Sequence, residues 1–161
     1  MGDEALRLKA LPVKDISPEY IKIAGELFDA LYAGEGVGLA GPQVGLNERI
    51  FAIHVKGDEP RIFINPSIIE TSQETLKFEE GCLSIPGVFT NVIRSKAVKI
   101  QAWNEKGRPF TLEADGILAR VILHEYDHLD GILFIDRIPE QKRNRILTKI
   151  GKTASGLKAA K

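Results

Sequence analysis

Residues 116–131, GILARVILHEYDHLDG, have the spacing of a helix that buries one side. Apolar residues and histidines recur every three or four positions, so their side chains lie one above another on a helix. The residues in this stripe are Ile117, Val121, His124 and His128. Asp115 is suited to cap the start of the helix, and Gly131 is suited to end it. The segment therefore predicts a central helix.

The residues before this helix predict β-strands. Short runs rich in β-branched and aromatic side chains alternate with turn residues from about Arg49 to Ala114. The predicted strands are 50–55, 61–66, a stretch around 75–78, 91–95, 97–103 and 109–114. Residues 104–108 contain Gly107 and are typical of a hairpin turn, so we expect antiparallel neighbours.

Two further helices are expected on either side of this region. The first is predicted between Ser17, a capping residue, and Gly34, and the third begins near Pro139. The whole pattern predicts an α+β fold in which antiparallel β-sheets pack around the central helix, with a C-terminal helix. We expect one domain over residues 1–151 and a disordered basic tail over 152–161.

Composition excludes several classes of protein. The 161 residues carry 22 basic and 22 acidic side chains, and this balance argues against general affinity for DNA. No apolar run is long enough to span a bilayer, and no apolar leader precedes the first charged residues. A single cysteine cannot form an intramolecular disulfide, which suits a reducing compartment. We expect a cytoplasmic protein without a membrane partner.

The segment HEYDH at 124–128 is the strongest chemical signal in the chain. Two histidines four positions apart on one helix face can bind one metal ion, and Glu125 lies where it can take a proton from water. Two surface histidines on a charged helix would give the same pattern by chance. That alternative is weakened because His124 and His128 continue the apolar stripe, and buried imidazoles need partners.

The two histidines leave a metal ion short of a third protein ligand. The extended zinc-protease pattern requires histidine at position 134, which is Phe134. The alternative pattern requires a downstream glutamate, and the one candidate, Glu140, is close to His128 and in a polar helix start, so neither protease pattern is complete. The remaining candidates are His54 and Cys82. A lone cysteine is more often a small buried apolar residue. Cys82, however, lies next to Gly81 and acidic residues, which favours a loop or edge that presents a thiolate.

Three motifs, taken in order, resemble the peptide deformylase family. They are GVGLAGPQVG at 36–45, EGCLS at 80–84 and HEYDH at 124–128. The likeness extends from about Asp3 to Ile138. The resemblance implies an enzyme that removes the formyl group from the N-terminal formylmethionine of newly synthesised polypeptides. It implies Fe²⁺ as the physiological metal, with Zn²⁺ or Ni²⁺ often in its place in purified protein.

The same resemblance implies a role for individual residues. The implied metal ligands are Cys82, His124 and His128. Glu125 is then the general base that takes a proton from water and passes it to the leaving amine. The side-chain amide of Gln43 and the backbone N–H of Leu83 are implied to stabilise the oxyanion that forms during hydrolysis.

Residues near the motifs are candidates for contact with the substrate. A formyl carbon carries only hydrogen, so a tight site around it excludes larger acyl groups. Gly36 and Gly38 would let the backbone approach the substrate closely. We expect the peptide to lie as an extra strand against an exposed sheet edge. The residues expected to form an apolar pocket for the methionine side chain are Val37, Phe78, Ile85 and Val121.

Some positions depart from the family pattern or lie beside the motifs. Gly41 stands where alanine is usual, which we expect to loosen the loop slightly, and Leu123 stands where glutamine is common. Arg94 and Asp127 are candidates to support the histidines or Glu80, with ordinary surface charges as the alternative. His54 lies in an apolar strand, and we expect it to be structural.

The C-terminal segment is strongly basic. Residues 140–161 contain seven basic side chains and one acidic side chain, a net charge of +6. A solvated helix and tail is the plain interpretation, and electrostatic docking to ribosomal RNA is the alternative. A zinc protease and a non-catalytic metal-binding relative are the rival functions. Release of formate from a formyl peptide distinguishes a deformylase from both.

Overall fold

The computed structural model describes the backbone of residues 4–159 and the side chains of residues 5–151. The helices are α1 (Glu19–Ala33), α2 (Gly116–Leu129) and α3 (Glu140–Ala159). The strands are β1 (Gly38–Ala40), β2 (Ile50–Ile53), β3 (Arg61–Thr71), β4 (Thr75–Cys82), β5 (Ile85–Ser95), β6 (Ala97–Trp103) and β7 (Pro109–Asp115). Short 3₁₀ turns occupy Glu4–Arg7, Gly41–Val44 and Phe134–Arg137.

The strands form two antiparallel sheets. The larger sheet has five strands in the order β1-β2-β3-β6-β7, and β4 and β5 form a separate hairpin. In the hairpin Cys82 pairs with Ile85 across a tight turn. β1 lies at one edge of the larger sheet, where Gly38 pairs with Ile53 of β2. An edge strand of this kind can pair with a further extended chain.

The larger sheet is covered on both faces, and β2 shows why. All four of its residues, Ile50–Ile53, are buried. Phe51 belongs to the apolar cluster beneath α2, whereas Ile50 belongs to the cluster beneath α1. Side chains alternate between the two faces of a strand, so a strand covered on both sides reads as a continuous apolar run.

Helix α2 lies between the two sheets. Ile122 and Leu129 pack against Phe63 and Ile100 of the larger sheet in a fully buried cluster. The opposite side of the helix faces the β4–β5 hairpin and carries polar side chains that pair with it. The predicted α+β fold, with antiparallel sheets around a central helix and a C-terminal helix, is confirmed.

Two local predictions were wrong. Pro18, and not Ser17, is the N-cap of α1, and the Ser17 backbone carbonyl accepts a hydrogen bond from the Tyr20 N–H at 3.0 Å. The glycines and Pro42 of residues 36–45 predict a loop without regular structure, but the segment contains β1 and a 3₁₀ turn. Pairing with β2 imposes the strand, and this pairing is a tertiary contact that the glycine-rich composition does not indicate.

The C-terminal helix extends further than the sequence pattern predicts. α3 continues to Ala159, beyond the expected start of a tail at residue 152, and residues 160–161 lie outside the described part. Ile146 and Ile150 hold α3 against an apolar cluster that includes Ile85 and Phe134. The division into a domain and a disordered tail stays a prediction. Among the described residues, none of the helices has both the length and the hydropathy needed to cross a bilayer.

Candidate metal centre and active site

The structure brings Cys82, His124 and His128 together. The histidines project from one face of α2, and Cys82 ends β4 at the tight hairpin turn that faces this helix. The Cys82 Sγ lies 3.3 Å from the Nε2 of His128. One ligand atom from each of the three residues lies within 4.8 Å of the other two. One sulfur and two imidazole nitrogens at this spacing can hold a single metal ion.

His124 is oriented by a buried carboxylate. Its Nδ1 donates a hydrogen bond to Glu80 Oε2 at 3.0 Å, which leaves Nε2 as the nitrogen available to a metal ion. Burial alone would lower the pKa of His124, but hydrogen bonds with Cys82 and Glu80 outweigh it and raise the pKa to about 10. A metal ion that binds Nε2 must therefore displace a proton.

His128 has the opposite electrostatic character. It is only 1% exposed, and its Nδ1 has no hydrogen-bond partner among the described residues. Burial, followed by the charges of His124 and Arg94, lowers the pKa of His128 to about 3. The ring is therefore neutral near pH 7 and can donate a nitrogen lone pair to a metal ion.

Glu125 is a buried carboxyl group with a free oxygen. Its Oε2 has no hydrogen-bond partner within the described part of the chain. Burial raises the pKa of Glu125 to about 7, and the charges of His124 and Arg94 limit the rise. A carboxyl group that titrates near neutral pH can both accept and return a proton, as a general base requires.

Gly38 makes room for this carboxyl group. A Cβ at position 38 would overlap the carboxylate of Glu125 and would lie 2.8 Å from Val121 Cγ1. Gly38 therefore leaves space for the Glu125 carboxylate, and its close approach to the substrate stays a prediction. At Gly36 a Cβ would lie 3.0 Å from a Leu83 methyl group, so this glycine also accommodates protein atoms.

Gln43 is held rigidly beside the cysteine. Its Oε1 accepts a hydrogen bond from the Ala40 N–H at 2.8 Å, which fixes the orientation of the side-chain amide. The Nε2 then points towards Cys82 Sγ at 3.6 Å and Ser84 Oγ at 3.1 Å. An amide donor aimed at the same place as the metal-binding candidates can stabilise a negative charge that develops there.

A buried ionic network surrounds Glu80. Arg94 donates to Glu80 Oε1 at 2.7 Å and to Asp127 Oδ2 at 2.8 Å, and all three side chains are about 95% buried. Burial alone would raise the pKa of Glu80, but hydrogen bonds from His124 and Arg94 outweigh it and lower the pKa to about 2. Arg94 and Asp127 are therefore buried and not ordinary surface charges, and Arg94 contacts Glu80, one of the two partners proposed for the pair.

Sequence reasoning missed Arg120 in this network. Its Nη1 donates to Glu80 Oε1 at 2.6 Å, and the side chain is buried. The available signal was its position one helical turn before His124, on the buried side of the predicted helix. A basic residue at such a position needs a buried acidic partner.

An open cleft of about 570 Å³ leads to these residues. The predicted pocket residues that line it are Gly36, Val37, Gly38, Phe78, Ile85 and Val121, and Gln43, Cys82, Leu83, His124 and Glu125 line it as well. Ile117, Val88 and Phe89 also line the cleft and were not predicted. Ile117 belonged to the helical stripe, whereas Val88 and Phe89 reach the cleft through hairpin pairing that no local pattern indicates. Contact of the predicted pocket residues with a substrate stays a prediction.

The structure also accounts for the remaining singled-out positions. His54 Nδ1 lies 2.8 Å from the Tyr32 hydroxyl, and His54 takes no part in the Cys/His/His group. Leu123 packs against the main apolar cluster, so it contributes hydrocarbon contact where an amide is common. At Gly41 a Cβ would lie 2.7 Å from the Leu46 carbonyl oxygen, so the backbone packs closely there, and the loosening of the loop by Gly41 stays a prediction.

The sequence model of the polypeptide deformylase family matches residues 1–144 of this chain. The chain belongs to the polypeptide deformylase family. A peptide deformylase of Neisseria meningitidis serogroup B is 46% identical over 152 residues, which cover 93% of this chain and 90% of that protein. Members of the family are enzymes that remove the N-formyl group from nascent polypeptides, and the family is metal-dependent.

Solved structures of the family have the same fold. A peptide deformylase from Synechococcus elongatus is 41% identical with a TM-score of 0.88, covering 93% of this chain and 84% of that one. A peptide deformylase from Legionella pneumophila is 36% identical with a TM-score of 0.89, covering 100% of this chain and 95% of that one. The predicted family and enzyme class are confirmed.

Proposed function

We propose that this chain hydrolyses the formyl group from the N-terminal formylmethionine of newly synthesised polypeptides. The observation that carries the proposal is the position of the Glu125 carboxyl group, which is buried with a free oxygen, beside the Cys/His/His group. A structural metal site usually has four protein ligands, whereas three protein ligands leave a position for water or substrate. A nearby carboxyl group that titrates near pH 7 then makes hydrolysis the supported chemistry.

The three residues proposed to hold the metal ion are Cys82, His124 and His128. The hydrogen bond between Glu80 and His124 Nδ1 fixes the ring and leaves Nε2 as the nitrogen that would bind the ion, an arrangement common in metal sites. A thiolate with two imidazoles suits Fe²⁺ and Zn²⁺ alike, and we propose Fe²⁺ as the physiological ion, replaceable by Zn²⁺ or Ni²⁺. When bound, the ion supplies Lewis-acid activation of water and of the formyl oxygen.

Different protein groups transfer the proton and stabilise the negative charge that develops in the reaction. Glu125 Oε2 accepts a proton from the attacking water and returns it to the amine that leaves. Gln43 Nε2, fixed by the Ala40 N–H, donates a hydrogen bond to the developing oxyanion. We propose that the Leu83 backbone N–H donates the second. The products are formate and a polypeptide with a free N-terminal methionine.

We propose that the substrate peptide pairs with the edge of β1. This strand lies beside the cleft, and Gly36, Val37 and Gly38 line the cleft at its start. Backbone hydrogen bonds to an edge strand bind a peptide without regard to its side chains, which suits an enzyme that acts on many polypeptides. The methionine side chain would then enter the part of the cleft formed by Phe78, Ile85 and Val121.

Formate release from a formyl-Met tripeptide tests this proposal directly. The assay compares anaerobically purified wild type and Glu125→Ala, with the metal content of each measured. We expect about 10²–10⁴-fold slower release by Glu125→Ala at equal metal content. Glu113→Ala is the matched control, because Glu113 on β7 pairs with Lys99 on β6. Wild-type activity of metal-loaded Glu125→Ala, or cleavage of an internal peptide bond without formate, would contradict the proposal.

We also propose that α3 docks to ribosomal RNA in the cytoplasm, where the nascent substrate is made. Ile146 and Ile150 face the core, while Lys142 and Arg145 are exposed on the outer side of the helix. Such a surface favours a polyanion and makes binding sensitive to salt.

Charge reversal tests docking better than removal of the helix, because removal also uncovers the apolar cluster beneath α3. We expect the double variant Lys142→Glu, Arg145→Glu to bind purified ribosomes at least tenfold more weakly at low salt. The matched control reverses two exposed lysines elsewhere, Lys14 and Lys22. Equal loss in both double variants would indicate non-specific charge effects and would reject docking through α3.

A further inference from the structure

Arg120 lies on α2 one turn before His124, and its side chain is buried against the β4–β5 hairpin. Its Nη1 donates to Glu80 Oε1 at 2.6 Å and to the Val92 carbonyl at 3.2 Å. Its Nη2 donates to the Leu76 carbonyl at 2.7 Å. One guanidinium group therefore joins the helix that carries the histidines to both strands of the hairpin that carries the cysteine.

The two oxygens of Glu80 show what Arg120 contributes. Oε1 accepts hydrogen bonds from Arg120 and Arg94, whereas Oε2 accepts hydrogen bonds from Arg94 and His124. Arg120 thus holds one oxygen while the other orients the imidazole. Without Arg120, the carboxylate keeps one cationic partner at Oε1 and is freer to rotate away from His124 Nδ1.

The geometry requires arginine in particular. The guanidinium is planar and offers several N–H donors in fixed directions, whereas a lysine ammonium is a point charge on a flexible stem. Because of this shape, Arg120 donates hydrogen bonds to a carboxylate and to two backbone carbonyls at the same time. The Arg120 guanidinium carbon also lies 5.6 Å from the centre of the Phe78 ring, which lines the cleft.

We propose that Arg120 is a positioning residue for the metal centre, acting through Glu80 on His124. The proposal rests on the proposed metal-binding role of His124 and deepens it. Arg120 does not touch the reacting atoms. It fixes the Glu80 carboxylate, and the carboxylate fixes the plane of the His124 ring.

Arg49 provides a matched control in the same chain. It is also a partly buried arginine, and although it lies just before β2 its side chain contacts the end of α2, donating to the Leu129 carbonyl at 3.2 Å and to Asp130 at 2.8 Å. Its guanidinium lies 5.3 Å from the centre of the Tyr126 ring. Arg49 therefore makes the same three kinds of contact with α2 without touching Glu80, so Arg49→Met measures the general cost of losing such an arginine.

Co²⁺ binding is the test, because the visible spectrum of Co²⁺ reports the ligand geometry and needs no formyl peptide. The variants are Arg120→Met, Arg120→Lys and Arg49→Met, each made in the wild-type and Glu80→Gln backgrounds. We expect Arg120→Met to weaken Co²⁺ affinity about 10–100-fold with a changed spectrum, the range found for groups that orient metal ligands. Arg120→Lys should recover part of the affinity, and Arg49→Met should leave affinity and spectrum unchanged.

The Glu80→Gln background decides whether the effect passes through Glu80. In this background we expect Arg120→Met to change Co²⁺ affinity less than about threefold, since the coupled partner is already lost. An undiminished effect in that background, or an equal effect of Arg49→Met, overturns the proposal. Formate release is measured separately, so loss of activity in an enzyme that binds Co²⁺ normally would count against the proposed function and not against Arg120.

Discussion

The larger sheet and the β4–β5 hairpin are attached to the same helix by different physical means. On one side of α2 the contacts are hydrocarbon: Phe51 and Phe63 are fully buried and stack with ring centres 4.7 Å apart beneath Ile122. On the other side the contacts are ionic, with Glu80 paired to Arg94, Arg120 and His124, and Asp127 paired to Arg94.

The two kinds of contact have different effects: the apolar contacts stabilise the fold, and the ion pairs fix the positions of side chains. Apolar contacts are non-directional and stabilise in proportion to the area removed from water. Buried ion pairs add little net stability because desolvation offsets attraction, but each requires a particular direction and distance. We infer that the larger sheet provides most of the stability of the domain, while the hairpin network fixes the orientation of the candidate metal ligands.

Phe63→Ala should have the largest effect on stability. Phe63 stacks on Phe51 and packs edge-to-face with Phe110, and its removal leaves a cavity within the main cluster. We expect the free energy of unfolding to fall by about 4 kcal/mol. Urea unfolding at a fixed metal concentration measures this change. Phe89→Ala is the control, since Phe89 is 67% exposed on the hairpin. A comparable loss of unfolding free energy in Phe89→Ala would contradict the inference that the larger sheet provides most of the stability.

Arg94→Met should affect both stability and metal binding. The substitution leaves the carboxylates of Glu80 and Asp127 buried with fewer cationic partners, and we expect a loss of about 3 kcal/mol in unfolding free energy. The metal affinity of Arg94→Met should also fall, by about 10–100-fold. The folded fraction of Phe63→Ala should keep the metal affinity of the wild type. The control is Arg61→Met, which loses its ion pair with Asp58 near the surface. Unchanged metal affinity in Arg94→Met would reject a positioning role for the network.

Two buried glutamates should respond to pH in opposite directions. The pKa of Glu125 is raised to about 7, so its contribution to stability is complete below pH 4.5 and is lost as the pH rises through 7. The pKa of Glu80 is lowered to about 2, so its contribution is present above pH 4.5 and is lost as the pH falls towards 2.

Glutamine substitutions measure these contributions. We expect Glu125→Gln to be more stable than wild type by roughly 1–3 kcal/mol at pH 8 and nearly equal at pH 4.5. Glu80→Gln should be less stable than wild type at pH 8. Urea unfolding across this pH range gives both differences, and a stability difference for Glu125→Gln that does not change with pH would refute the assigned shift.

Lys96→Ala should have the smallest effect. The Lys96 ammonium pairs with Glu74 at 3.0 Å at the base of the hairpin, but the side chains are 44% and 64% exposed. Exposed ion pairs contribute little because water and salt screen them, so we expect a change within about 0.5 kcal/mol in unfolding free energy. A loss of unfolding free energy comparable to that of Arg94→Met would mean that burial does not determine how much an ion pair of the hairpin contributes to stability.

The candidate site was predictable where its residues are close in sequence. His124, Glu125 and His128 share one face of a helix, and helical spacing alone brings them together. Cys82 was reached by elimination among possible ligands and by resemblance to the family, because it lies 42 positions before His124. Arg120 was missed because its partner Glu80 lies on a strand whose pairing no local pattern indicates.

By itself, the sequence determined the helix that carries His124, Glu125 and His128, the α+β class, the family and the residues able to bind metal. These follow from local spacing and from the chemistry of individual side chains. Only the tertiary structure decided that β1 is an edge strand, that Gly38 accommodates Glu125, and that Glu80 is shared between Arg94, Arg120 and His124. The physical reason is that each depends on contacts between distant segments, whose geometry is set by the packing of both sheets against α2.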